Sequence, residues 1–142
     1  MPSVNKSALV PFSAQAMYDL VNDVESYPQF LPGCVETKLL ESSNTHMRAS
    51  LLVSKAGVKQ WFSTKNTLVP ARRVDMELDD GPFKYLRGGW VFTELSDEAC
   101  KIEFKLDFEF KNKLVALAFG KVFGALTASM VNAFIDRAKQ IY

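Results

Sequence analysis

Residues able to do chemistry are few in this chain of 142 residues. His46 is its only histidine and sits in a Ser/Asn/Thr-rich stretch, where it reads as an exposed loop residue. Cys34 and Cys100 lie far apart, and one histidine with two such thiols gives no metal-ligand spacing, so no metal is expected. There is no G-x-S-x-G elbow, no P-loop and no G-x-G-x-x-G loop. Asp79 and Asp80 are adjacent carboxylates, a pattern that can serve acid–base work. Gly81-Pro82 follows at once, however, and neighbours at a strand end point apart, so a turn is the better account. No catalytic residue is assigned, and binding is the chemistry that the sequence favours.

The aromatic load gives binding a physical basis. Eleven Phe, four Tyr and two Trp can fill a core, and they can also line a pocket for a flat apolar ligand. Gly120 and Gly124, with Ala128 four residues further, form a row of missing side chains on one helix face. Glycine within a helix costs roughly 1 kcal/mol relative to alanine. The row therefore predicts either tight packing on a neighbour or a groove beside it.

Charge narrows the partners. Seventeen Lys and Arg against sixteen Asp and Glu leave a formal charge of +1, which excludes a strongly basic nucleic-acid binder but allows a local patch. Lys55, Lys59, Lys65, Arg72, Arg73, Lys84 and Arg87 recur on turns and strand faces, and the adjacent Arg72 and Arg73 are the candidate RNA contact. Two cysteines make no disulfide framework, so both are expected as free thiols in a reducing, cytoplasmic setting. No signal peptide or Arg-rich presequence is read ahead of the first strand.

The elements follow from periodicity. Ser3 to Val10 reads as a strand, and Ser13 as the cap of a helix running to about Asn22. Tyr27 to Gly33 carries two prolines and predicts a helical turn, then a rigid loop. Alternation from Met47 to Val53, Trp61 to Leu68 and Val74 to Leu78 marks strands, with turns at Ala56-Gly57, Pro70-Ala71 and Asp80-Gly81-Pro82. Gly88-Gly89 is expected to precede a strand from Trp90 to Leu95. From Cys100 to Phe110 the alternation is strict, with apolar side chains on one face and charges on the other.

Beyond Asn112 the period becomes helical, with Val115, Phe119, Val122, Leu126, Met130, Phe134, Ala138 and Ile141 on one stripe. A bend near Gly120 or Gly124 is allowed for. Leu114 to Ile135 carries one charge, Lys121, yet a helix buried on a sheet explains it better than a transmembrane segment. The predicted architecture is α+β in one domain. A curved antiparallel β-sheet wraps around the long C-terminal helix, and two short N-terminal helices close one end.

Three motifs carry a resemblance. Tyr27-Pro28-Gln29-Phe30-Leu31-Pro32-Gly33-Cys34, then Asp80-Gly81-Pro82-Phe83 with Leu86-Arg87-Gly88-Gly89-Trp90-Val91-Phe92, and Ala133-Phe134-Ile135-Asp136-Arg137-Ala138 are together similar to the START-like, polyketide cyclase/dehydrase-like family. That family joins mitochondrial coenzyme Q-binding proteins to bacterial ribosome association toxins, and Gly33 resembles the bacterial branch. The resemblance implies a helix-grip fold, a hydrophobic cavity between sheet and helix, and no known catalytic residues. It implies binding of an isoprenoid quinone such as ubiquinone, or another lipid, in support of respiration. The alternative it implies is a regulator that binds the large ribosomal subunit and blocks subunit joining. A polyketide cyclase-type enzyme is the third function it suggests, and peripheral membrane contact a further partner.

Within that frame Phe104, Leu106 and Phe108 are expected to face Phe119, Phe123 and Met130 across an apolar space, with Gly124 at its groove. Trp90 and Phe92 share a strand face and extend the wall, and Phe30 and Leu31 stand near the mouth.

Overall fold

The computed structural model describes residues 3–55 and 57–142; Ala56 of the expected Ala56-Gly57 turn lies outside the described residues. Seven antiparallel strands form one sheet: β1 (Ser3–Val10), β2 (Cys34–Ser42), β3 (His46–Lys55), β4 (Val58–Val69), β5 (Arg73–Asp80), β6 (Phe83–Ser96) and β7 (Ala99–Phe110). Their order is β1-β7-β6-β5-β4-β3-β2. Every pairing follows the chain except β1, which crosses to β7 with Val4 opposite Leu106 and Val10 opposite Cys100.

β7 shows why the sheet has two faces. Cys100, Ile102, Phe104, Leu106 and Phe108 are buried on the inner side, while Lys105 and Asp107 are exposed on the other. Outer charges pair locally, as in Lys101–Glu103 at 3.4 Å and Lys84–Glu109 at 3.3 Å. Such exposed pairs contribute little stability, and apolar burial on the inner face supplies most of it.

Two sequence expectations are corrected. Gly88 and Gly89 do not precede a strand; they lie inside β6, opposite Leu106 and Lys105 of β7. A Cβ at Gly88 would sit 2.1 Å from the Lys105 carbonyl oxygen, and one at Gly89 1.9 Å from that of Val74. Both have positive φ, +150° and +144°, so only glycine allows the sheet to bend so tightly there. The second correction is β2, which the alternation did not reveal. Its pairing with β3 shifts register between Cys34 and Glu36 and again between Leu39 and Glu41. Each irregularity interrupts the period of two, and as an edge strand β2 leaves Val35, Leu39 and Leu40 exposed.

α1 (Ala14–Asn22) starts where the Ser13 hydroxyl accepts the Ala16 amide at 3.0 Å. A 3-10 turn (Val24–Gln29) holding Pro28 follows it. α2 (Lys113–Ile141) is capped by Asn112, whose Oδ1 accepts the Val115 amide at 2.9 Å, and it runs unbroken through Gly120 and Gly124. Its stripe of Phe119, Val122, Leu126, Met130, Phe134 and Ala138 is buried against the sheet. By length and composition α2 could cross a membrane, but this packing accounts for its apolar stripe.

Candidate functional site

Two aromatic clusters brace the space between sheet and α2. In one, Trp90 meets Phe104 at 4.7 Å and Phe134 edge-on at 5.2 Å, and Phe134 in turn meets Tyr27 at 5.3 Å. In the other, Phe123 meets Phe108 at 4.8 Å, Phe83 at 4.9 Å and Phe62 at 5.6 Å. A cavity of about 40 Å³ lies between them. Ala49 and Leu51 of β3, Phe62 of β4, and Val74 and Met76 of β5 form one wall. Leu86 and Trp90 of β6 and Phe104 and Leu106 of β7 continue it. Phe123, Leu126 and Met130 of α2 form the roof, and Val21, Val24 and Tyr27 close one end. At that volume it has room for about three waters, well short of an open ligand pocket.

Of the candidate residues, Trp90, Phe104, Leu106, Phe123 and Met130 line this cavity. The other six lie around it rather than on it. Phe92 stands at 6.3 Å behind Trp90 and edge-on to Tyr18, and Leu31 is buried in the core. Phe30 packs behind Phe134 at 5.2 Å. Phe108 and Phe119 are committed to the aromatic cluster around Phe83 and Phe123. Gly124 is not among the lining residues; a Cβ there would meet nothing within 4 Å, and Ala128, next in the row, is exposed. A Cβ at Gly120 would lie 3.6 Å from the Phe110 ring. Of the two readings of the glycine row, tight packing or a groove, the structure shows a ring edge at Gly120 and no close neighbour at Gly124.

The cavity also has polar residues that sequence reasoning missed: Thr64 and Asn66 of β4 and Thr127 of α2. The Thr127 hydroxyl donates back to the Phe123 and Gly124 carbonyls at 3.1 and 3.2 Å. The Tyr27 hydroxyl donates to the Val21 carbonyl, and burial pushes its phenol far above the usual range. Asn66 differs. It is 7% exposed, and its Oδ1 is buried with no hydrogen-bond partner. The available signal was Phe62-Thr64-Asn66-Leu68, an alternate set that places two polar side chains on an inward face.

Arg72 and Arg73, at the β4–β5 turn, are both exposed and neither lines this cavity. Arg73 pairs with Asp75 at 3.0 Å, and Glu94 and Asp97 share the groove the two arginines border. Lys65 and Lys84 are paired as well, with Asp79 and Glu109. Arg72 alone of these four makes no ion pair among the described residues.

Residues 10–135 match the family described as polyketide cyclase / dehydrase and lipid transport. The chain belongs to this family. It is 58% identical over 142 residues to the ribosome association toxin RatA of Escherichia coli, covering 100% of this chain and 90% of that one. It is 32% identical over 139 residues to the mitochondrial coenzyme Q-binding protein COQ10 of Drosophila melanogaster, covering 95% of this chain and 57% of that one. A START superfamily protein from Mycobacterium smegmatis superposes with a TM-score of 0.81 at 22% identity, covering 99% of both chains. The family membership and the sheet-around-helix geometry agree: this is a START-like fold.

Proposed function

We propose that this protein associates with the ribosome in the cytoplasm, binding the large subunit and hindering subunit joining. The observation that carries this reading is 58% identity with RatA across the whole chain, a similarity that takes in surface as well as core. The test is co-sedimentation with purified large subunits, with joining followed on density gradients. Co-migration with the large subunit and a smaller joined fraction are expected. A protein that stays at the top of the gradient at low salt would overturn it.

A second reading is favoured by the cavity. The fold holds an uncharged apolar molecule, an isoprenoid quinone such as ubiquinone or another lipid, as the COQ10 relative's name suggests. The lining has aromatic and aliphatic walls and no charged side chain among the described residues, a setting for binding rather than proton transfer. A ring does not fit into about 40 Å³, so uptake requires the walls to part. Met76 and Met130, flexible and unbranched, are the lining residues best able to yield. Native mass spectrometry of protein from its own host tests this reading: a co-purifying quinone or lipid supports it, and a bare chain that also fails to take up added quinone overturns it.

A further inference from the structure

The lining of the cavity is apolar apart from Tyr27, Thr127 and two residues of β4. Thr64 and Asn66 are two residues apart on the same strand face, about 7 Å along it, and both are almost wholly buried. The other two polar lining residues have spent their protons inside the fold, Thr127 on α2 carbonyls and Tyr27 on Val21. Among the described residues neither Thr64 nor Asn66 has a side-chain partner of this kind, and the Asn66 Oδ1 is buried and unsatisfied. A buried amide without a partner destabilises the fold, and an aliphatic side chain in its place would not. An unmet hydrogen-bonding group against an apolar cavity is what a ligand's polar end would satisfy.

We propose that Asn66, with Thr64 beside it, is the head-group seat of this cavity, receiving the uncharged oxygen-bearing end of an amphiphile whose apolar body lies toward Trp90, Phe104 and Phe123. This rests on the reading that the cavity binds an apolar molecule and names the chemistry of that molecule. An amide and a hydroxyl each donate and accept, so they serve a ring carbonyl or a ring hydroxyl equally. With no cation among the lining residues, a carboxylate or phosphate would be buried without a counter-charge and is rejected. A plain hydrocarbon would leave Asn66 unpaired. The ligand class is therefore a neutral amphiphile with a carbonyl or hydroxyl oxygen at one end and an apolar body, and a quinone serves as its probe.

Calorimetric titration with three probes tests this: a benzoquinone with one isoprene unit, an alkylbenzene of matched length, and decanoate. Wild type should bind the quinone at least about tenfold more tightly than the alkylbenzene, and decanoate not measurably. Asn66→Leu should weaken the quinone about tenfold, leave the alkylbenzene unchanged, and raise the Tm of the free protein by about 3 °C. Thr64→Val, which keeps the side-chain volume, should weaken the quinone with the same selectivity and stands in if the leucine variant does not fold. Equal affinity of wild type for quinone and alkylbenzene, or a quinone affinity untouched by both substitutions, would overturn the seat while leaving the cavity as a binding site. Uptake of no probe by wild type would overturn the cavity reading and the seat with it.

Discussion

The guanidinium of Arg137 lies over the Phe30 ring, 5.2 Å from its centroid, and donates to the Gln29 Oε1 at 2.9 Å. This contact joins the proline-bracketed loop to the last turns of α2, two of the sequence motifs that lie at opposite ends of the chain. Phe30 also packs on Phe134, so the arginine clamps one aromatic cluster from outside. Arg137→Ala should destabilise the protein by about 1 kcal/mol in urea unfolding. Arg137→Lys should recover part of that, since lysine keeps the charge but not the planar fork. An unchanged midpoint for the alanine variant would show that the contact is not a clamp.

Ala49 and Gly124 should respond in opposite ways to added volume. Ala49 faces the cavity and is 1% exposed, so Ala49→Leu fills it. It should block quinone uptake at a stability cost of no more than about 1–3 kcal/mol. Gly124→Ala places its methyl in open space on a helix and should stabilise by about 0.5–1 kcal/mol with uptake unaffected. Thermal unfolding and quinone titration of both variants separate the cases, and loss of uptake in the Gly124 variant would contradict the geometry.

Asp79 predicts an acid dependence. Desolvation pushes its carboxyl up, but hydrogen bonds from Arg48 and Ser63 and the charges of Arg48 and Lys65 outweigh that and hold it below the usual range. The folded state therefore binds this proton less tightly than the unfolded one. The stabilisation is present above the unfolded value of about 3.9 and is lost as pH falls through the lower folded value. Asp79→Asn should be less stable than wild type at neutral pH, and the gap should close below about pH 4. A gap of constant size down to pH 2 in chemical denaturation would refute the assignment.

The thiols should be inert in the folded protein. Cys34 and Cys100 are free and buried, and burial pushes Cys34 up to about 11 and Cys100 upward as well. The thiolate is the reactive form, so iodoacetamide at pH 8 should label neither cysteine in the native state and both after denaturation. Rapid native labelling of Cys34 would show that β2 opens at its first residue.

Ribosome association should depend on local charge, because the whole molecule, at +1, offers no steering field. Reversing Arg72 and Arg73 together to glutamate should weaken co-sedimentation and flatten its log–log salt dependence by about 1.5. Quinone uptake should survive, since neither arginine lines the cavity. Equal loss of both activities, or salt-insensitive association, would count against separate sites.

The sequence by itself determined the class of fold. β7 alternates strictly because one face is dry and the other wet, and α2 keeps its stripe because one side packs on a sheet throughout. Both patterns are local consequences of burial, so they are written in consecutive residues. A cavity between sheet and α2 is what the family resemblance implies, and five of the side chains expected on it are among its lining residues.

Tertiary structure decided the rest. Gly88 and Gly89 read as a break because their purpose, close approach to Lys105 and Val74 backbone, depends on strands far away in the chain. β2 was hidden by two shifts of register against β3. Phe92, Phe108 and Phe119 share the apolar character of the lining residues, and only the packing of rings against rings separates wall from lining. Asn66 is one asparagine in a strand until the fold buries its Oδ1 without a partner and sets the residue on a cavity that Trp90 and Phe123 also line. An unmet hydrogen bond is a property of what surrounds a residue, and those surroundings are assembled from four other strands, both helices and the 3-10 turn after α1.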